Sequence, residues 1–231
     1  MTATLAETRA DVRDHLDELV PAFYPDLTLD RWIYEGARDV ARRGEVLQDV
    51  QSYTLQADQV NYDAPPDMVR IHRVEYRQST SYVYALEYRT IDSMDDVWFT
   101  SREVAGSLPE YWSFWGTPGI ASSQIYIYPI VSNATADGLR VFYYRLPHKP
   151  EVDTDPVEVP AGWEDLVVLY CEMNALRRAG SARWQEAQTM YEARLLTLIE
   201  VTRQFTDQQT LISGAGMGSH ARFPFANDPW W

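Results

Sequence analysis

Residues 162–205 carry the longest stretch of unambiguous helical periodicity in the chain, and they restrict the fold more than any other segment. Trp163, Leu166, Val167, Tyr170, Met173 and Leu176 recur at the three-and-four spacing of a helix with one buried face. Arg177, Arg178 and Gly180 predict its end, because cations suit the carboxyl terminus and glycine takes the left-handed turn. Ser181 then caps a second helix whose inner side is Trp184, Met190 or Tyr191, Leu195, Leu198 and Val201. The two read as an antiparallel helical hairpin. Val168 and Leu169 widen the first helix's apolar surface beyond one stripe, so it is expected to be covered on more than one side.

At 231 residues the chain is long enough to bury a full core, and 45% hydrophobic residues make it globular. No run of about 18 apolar residues offers a membrane span, and the first ten residues have no secretory character. A single cysteine, Cys171, excludes an intrachain disulfide framework and points to a reducing compartment. The net charge of −14 is unevenly spread: 9 acids to 6 bases in 1–44, 17 to 8 in 45–160, and 8 to 6 in 161–231. A surface this acidic repels phosphate and disfavours direct gripping of nucleic acid.

Before the hairpin, Leu5, Val12, Leu16 and Leu19 form a narrow apolar seam between charged residues, which predicts a first amphipathic helix broken by Pro21 and Pro25. Thr28 is expected to cap a second helix with Trp32, Ile33, Ala37 and Val40 inward, ended by Arg42, Arg43 and Gly44. From Leu47 the period becomes alternating. Tyr53 to Ala57, Met68 to Tyr76, Tyr82 to Leu86, Gln124 to Tyr128 and Leu139 to Tyr144 read as antiparallel strands, with 61–66 and 78–81 as turns. Between them, 92–119 combines Asp92, Asp95 and Asp96 with Trp98, Phe99, Tyr111, Trp112, Phe114 and Trp115, and predicts a long loop carrying contact residues. The end, 206–231, has three glycines and then Phe223, Phe225, Trp230 and Trp231, a flexible arm with an aromatic anchor.

Catalytic signatures are poor. Gly214, Gly216 and Gly218 have a phosphate-loop look but no strand leads in and no helix follows. His15, His72, His148 and His220 lack companions at metal-ligand spacing, and the three aspartates lack the glycine and distal glutamate of a calcium loop. No catalytic, cofactor-binding or metal site is expected. Asn133-Ala-Thr135 fits a glycosylation sequon, which means nothing without secretion.

The order of several loose motifs does carry a resemblance. D-R-W-I-Y-E-G-A-R-D-V from Asp30, A-P-P-D-M-V-R-I-H-R-V-E-Y from Ala64, P-E-Y-W-S-F-W from Pro109, I-Y-I-Y-P from Ile125, L-R-V-F-Y-Y-R-L-P from Leu139 and V-P-A-G-W-E-D-L-V-V-L-Y from Val159 follow one another in the chain. Over residues 28–205 this resembles the head-to-tail adaptor (connector, head-completion) proteins of tailed bacteriophages and related gene-transfer agents. The resemblance implies an α+β fold: an α-helical bundle of N- and C-terminal helix pairs (1–46 and 151–205), an inserted antiparallel β-module (47–150) and an extended C-terminal arm (206–231). It implies a non-enzymatic virion neck protein, assembled in the host cytoplasm, that forms a homo-oligomeric ring, generally twelve-fold. Such a ring docks beneath the portal, carries the DNA channel onward and receives a tail or stopper protein. No membrane partner is implied. On that reading Phe223, Phe225, Trp230 and Trp231 bind the portal, Leu5, Val12, Leu16 and Leu19 form the subunit interface, and Trp98, Tyr111, Trp112 and Trp115 face the tail. Two alternatives stay open: another neck component, such as a tail-completion or stopper protein, and a small hydrolase using a metal at Asp92, Asp95 and Asp96.

Overall fold

The computed structural model describes residues 3–18, 23–79, 82–93, 108–120 and 122–215. Thr4 starts α1 (Leu5–His15) with a capping box: its hydroxyl accepts from the Glu7 N–H while the Glu7 carboxylate accepts from the Thr4 N–H. The second helix, α2 (Asp26–Gly44), begins before Thr28, which makes no cap. Pro25 fixes the entry φ at −58° and Asp26 places a carboxylate against the positive end of the helix, so no hydroxyl cap is needed. Gly44 stays helical, and Glu45, at φ 50°, takes the left-handed position that the sequence assigns to glycine. The hairpin is present as α3 (Asp165–Arg178) and α4 (Trp184–Ala215), with Gly180 at φ 69° between them. Helix α4 runs ten residues past the expected limit at 205. Nothing between Gln204 and Ile212 is a helix breaker, and glycine first appears at Gly214.

Helices α2 and α3 cross where Gly36 meets the ring of Tyr170; a Cβ there would lie 3.1 Å from ring carbons, so a larger residue would push the helices apart. Two packed helices present two grooves: α1 occupies one and α4 the other, each touching both central helices. Leu5, Val12, Leu29, Ile33, Val40, Leu166, Val167, Cys171, Leu195 and Leu198 form the core, and Val157 and Val159 of the preceding linker close it. Arg9 and Arg13 bind α1 to the start of α2 through Asp30 at 2.8 Å and Asp26 at 2.5 Å. At the other end Arg43 pairs with Glu192 at 2.5 Å, tying α2 to α4.

Among the described residues eight strands form: β1 (Gln48–Leu55), β2 (Asn61–Asp63), β3 (Met68–Ser79), β4 (Tyr82–Ala85), β5 (Glu87–Tyr88), β6 (Tyr111–Trp115), β7 (Gln124–Tyr128) and β8 (Thr135–Arg145). Sheet I has the order β1-β8-β3-β4 and sheet II the order β2-β7-β6-β5. All pairings are antiparallel except β5 with β6, which is parallel. Leu55, Val74, Tyr76, Leu139 and Val141 of sheet I meet Tyr62, Trp112, Ile125 and Ile127 of sheet II in a second core. The fold is therefore mixed α+β, with antiparallel sheets between two pairs of helices in the chain. Two segments read as irregular are strands. Asn61–Asp63 joins β7 despite its turn-like composition, and 111–115, placed in the aromatic loop by its lack of periodicity, pairs in full register with β7 from Tyr111↔Tyr128 to Trp115↔Gln124. Continuous aromatic residues suit a strand covered on both faces, where alternation disappears.

Candidate assembly surfaces

The seam assigned to a subunit interface lies elsewhere. Leu5 and Val12 are 3% and 0% exposed in the chain's own helical core, and Leu16 packs on its edge; Leu19 lies outside the described residues. A narrow stripe suffices for α1 because it fills a groove between two helices rather than a flat surface, so Leu5 and Val12 are not offered to a neighbour. Of the aromatic residues assigned to the tail side, Trp112 is buried between the sheets and Tyr111 is half-covered by the guanidinium of Arg89, 3.9 Å above its ring. Trp115 is 59% exposed. Trp98, like Phe223, Phe225, Trp230 and Trp231, lies outside the described residues.

Trp115 opens the turn from β6 to β7, and Ile120, also exposed, stands on the far side of it. The turn is held from within. Gly116 sits at φ 111°, where a Cβ would lie 2.9 Å from Ser123. The Ser123 hydroxyl donates to the Thr117 carbonyl, the Ser123 N–H to Ile120 at 2.9 Å, and the Ala64 N–H to Ser123 at 2.9 Å. An apolar pair on a rigid support loses little conformational freedom on docking, which is the property of an interface anchor.

Behind this turn, Thr117, Pro118 and Gly119 face Glu35, Arg38, Asp39 and Arg42 of α2 across a cleft of about 670 Å³ that also touches Leu146 and Tyr170. The helical body and the β-module meet beside it through Arg145, whose guanidinium grips Glu158 at 2.8 and 2.9 Å. That bidentate pair, with the His148 N–H, holds the Glu158 carboxyl down to about 2 despite partial burial. Arg43 likewise lowers Glu192. Burial pushes the Cys171 thiol well above its ordinary range, which keeps it a neutral apolar neighbour in the helical core.

Glu158 and Glu192 serve contacts between elements and Cys171 packs in the helical core, while burial raises Tyr170 beside the cleft and lowers His72 on sheet I. Among the described residues no three His, Cys, Asp or Glu side chains come together to hold a metal ion. Asp92 is described; Asp95 and Asp96 are not. Among the described residues no helix is long and apolar enough to cross a membrane.

One surface escaped the sequence reading. Arg70, Arg73, Arg77 and Arg140 fall on the outer face of sheet I, as the register Arg70↔Tyr144, Arg73↔Phe142 and Glu75↔Arg140 requires. Alternation of Arg73, Glu75 and Arg77 along β3 was the available signal; the β-bulges on either side of Arg70 and Ile71, which bring Arg70 onto that face, have none, and Arg140 joins it from β8.

What the described residues offer outward is an exposed apolar turn at Trp115 and Ile120 and an arginine-bearing sheet face. Residues 3–214 match the model of the SU10 adaptor protein family, so the chain belongs to that family of tailed-phage head-to-tail adaptors. The match runs through the helical body and both sheets alike. No curated protein is similar enough to the chain to count as a match.

Proposed function

We propose that this adaptor forms a ring, twelve-fold in the expected arrangement, beneath the portal of a phage virion, where it extends the DNA channel and receives the tail. The observation that carries this reading is the family match across 3–214 in a chain of net charge −14. A conduit must let DNA through without holding it. An acidic wall does so by repelling phosphate, and no counterion release rewards binding. The role is structural, with no chemistry asked of any side chain.

Two contacts are assigned within this reading. Phe223, Phe225, Trp230 and Trp231, on the arm that follows α4, insert into the portal above, and Trp115 with Trp98 meets the tail-side partner below. Removing 216–231 tests the first. The truncated protein is expected to keep its thermal unfolding midpoint and lose co-sedimentation with portal rings from the same phage. Co-sedimentation that survives the truncation sinks the arm as the anchor. A full-length protein that stays monomeric by mass photometry, alone and with portal, sinks the ring.

A further inference from the structure

Residues 45–160 contain 17 acids and 8 bases, yet four of those bases, Arg70, Arg73, Arg77 and Arg140, share the outer face of sheet I. Opposite them on that face stands Glu75, which pairs with Arg73 at 2.7 Å. Arg70 is drawn to Glu45 at the end of α2. Neither Arg77 nor Arg140 has a carboxylate partner among the described residues, and the buried Nε of Arg140 makes no hydrogen bond. Aromatic rings lie beneath the cations: Phe142 is 4.7 Å from the Arg73 guanidinium and Tyr144 is 5.1 Å from that of Arg70. The neighbouring edge strand β1 is exposed from Gln48 to Ser52, including Val50.

A complementary surface exists on the same chain. Helix α1 turns Glu7, Asp11 and Asp14 outward at spacings of four and three, one face of a helix. Asp11 and Asp14 form no ion pair among the described residues. The two surfaces lie on different flanks. Helix α1 fills one groove of the α2–α3 pair and α4 the other. The outer face of sheet I adjoins the α4 flank, where Arg70 and Tyr144 share a cleft with Ile199, Thr202 and Arg203 of α4.

We propose that, within the ring, the arginine-bearing face of sheet I receives the acidic face of α1 from the next copy. The inference rests on the ring reading and names its contact. Copies of a strongly acidic chain repel one another, and a local reversal of sign offsets this at short range and fixes the register of the contact. Opposite signs on different flanks give a heterologous contact that repeats in one direction, the kind from which a ring is built when its rotation closes. Duplex DNA is the poorer occupant: two of the four arginines already face carboxylates, and the acid surplus around them repels phosphate.

Charge reversal tests it. Asp11→Arg with Asp14→Arg alters only outward side chains, and Arg73→Glu with Arg140→Glu alters the receiving face. Each pair is expected to weaken ring assembly by about tenfold or more in dissociation constant, as judged by mass photometry. Thermal unfolding checks that each remains folded; should the sheet variant unfold, the α1 variant alone decides. Combining all four changes restores opposite signs and is expected to recover rings. Wild-type rings alongside unimpaired α1 and sheet variants overturn the contact and leave the ring standing. Wild-type protein that never forms rings overturns the ring reading itself. Loss of duplex DNA binding in the sheet variant, with rings intact, gives the face to DNA and overturns the proposal.

Discussion

The helical body ties its elements together with charged pairs around a closed core, with Phe23, Leu27, Met190 and Leu196 left exposed, whereas the β-module leaves the outer face of sheet I, strand β1 and the Trp115 turn open to whatever lies outside the chain. In the body, Arg9, Arg13, Arg43 and Arg194 each bridge one helix to another or to the linker. In the module Arg70 and Arg73 stand over the rings of Tyr144 and Phe142 while pairing with Glu45 and Glu75, and Arg77 and Arg140 have no carboxylate partner among the described residues. Both regions have a core of fully buried residues. What separates them is how their arginines are satisfied: those of the body tie helices together, and two of those on sheet I have no carboxylate partner among the described residues, so most of the body's arginines serve stability while its outward acids on α1 stay open to contact.

The sharpest way to break that division is to damage the body's core. Leu195 is fully buried between α4 and the central helices. Leu195→Ala removes its packing and is expected to cost about 2–5 kcal/mol. Peptide-resolved hydrogen exchange should show faster exchange in α2, α3 and α4 while β3 and β8 keep their protection. Equal acceleration in both regions would mean that they fold as one unit and that the contrast drawn above is only one of surface.

Their junction gives a smaller effect with a pH signature. Glu158 is held down to about 2 from its ordinary 4.5, chiefly by the Arg145 guanidinium. A carboxyl lowered on folding contributes its full stability above the unfolded value, and loses it as pH falls through the folded one. Glu158→Gln is therefore expected to lower stability at neutral pH by about 1–2 kcal/mol, the scale of a hydrogen bond to a charged group reduced by solvent screening of a partly exposed pair. The gap in unfolding midpoint between wild type and variant should close as pH drops from about 4.5 to about 2. A gap that stays constant over that window assigns the loss to packing instead.

Much of this architecture was legible in the order of residues. The hairpin of α3 and α4, the inward residues of α2, and strands β3, β7 and β8 follow from periodicity alone, because each buries one face against one neighbour. Signals failed where burial is two-sided or satisfied locally. Strand β6 reads as a loop because Trp112 and Ser113, on opposite faces, are both buried. The seam of α1 reads as an interface because its narrowness says how much is covered and not by what; a groove between two helices of the same chain and a neighbouring subunit leave the same pattern. Thr28 reads as a cap, since Pro25 and Asp26 do that work without a hydroxyl. The arginine face depends on bulges that bring Arg70 into line with Arg73 and Arg77, and on the pairing that sets Arg140 of β8 beside Glu75, and no local composition announces them.

The smallest expected effect on stability is the most informative about recognition. Trp115 is largely exposed, and its turn is fixed by Gly116, Ser123 and backbone hydrogen bonds in which the indole takes no part. Trp115→Ser should change the unfolding free energy by no more than about 0.5 kcal/mol, the range of surface substitutions away from structural features. An anchor that fills a pocket on a partner costs about 2 kcal/mol or more when truncated. Binding to purified tail-side partner, measured by titration calorimetry, should therefore weaken by well over tenfold in a protein whose melting curve is unchanged. If the melting curve falls instead and binding holds, Trp115 belongs to the module's own packing, and recognition must be sought on the face of sheet I.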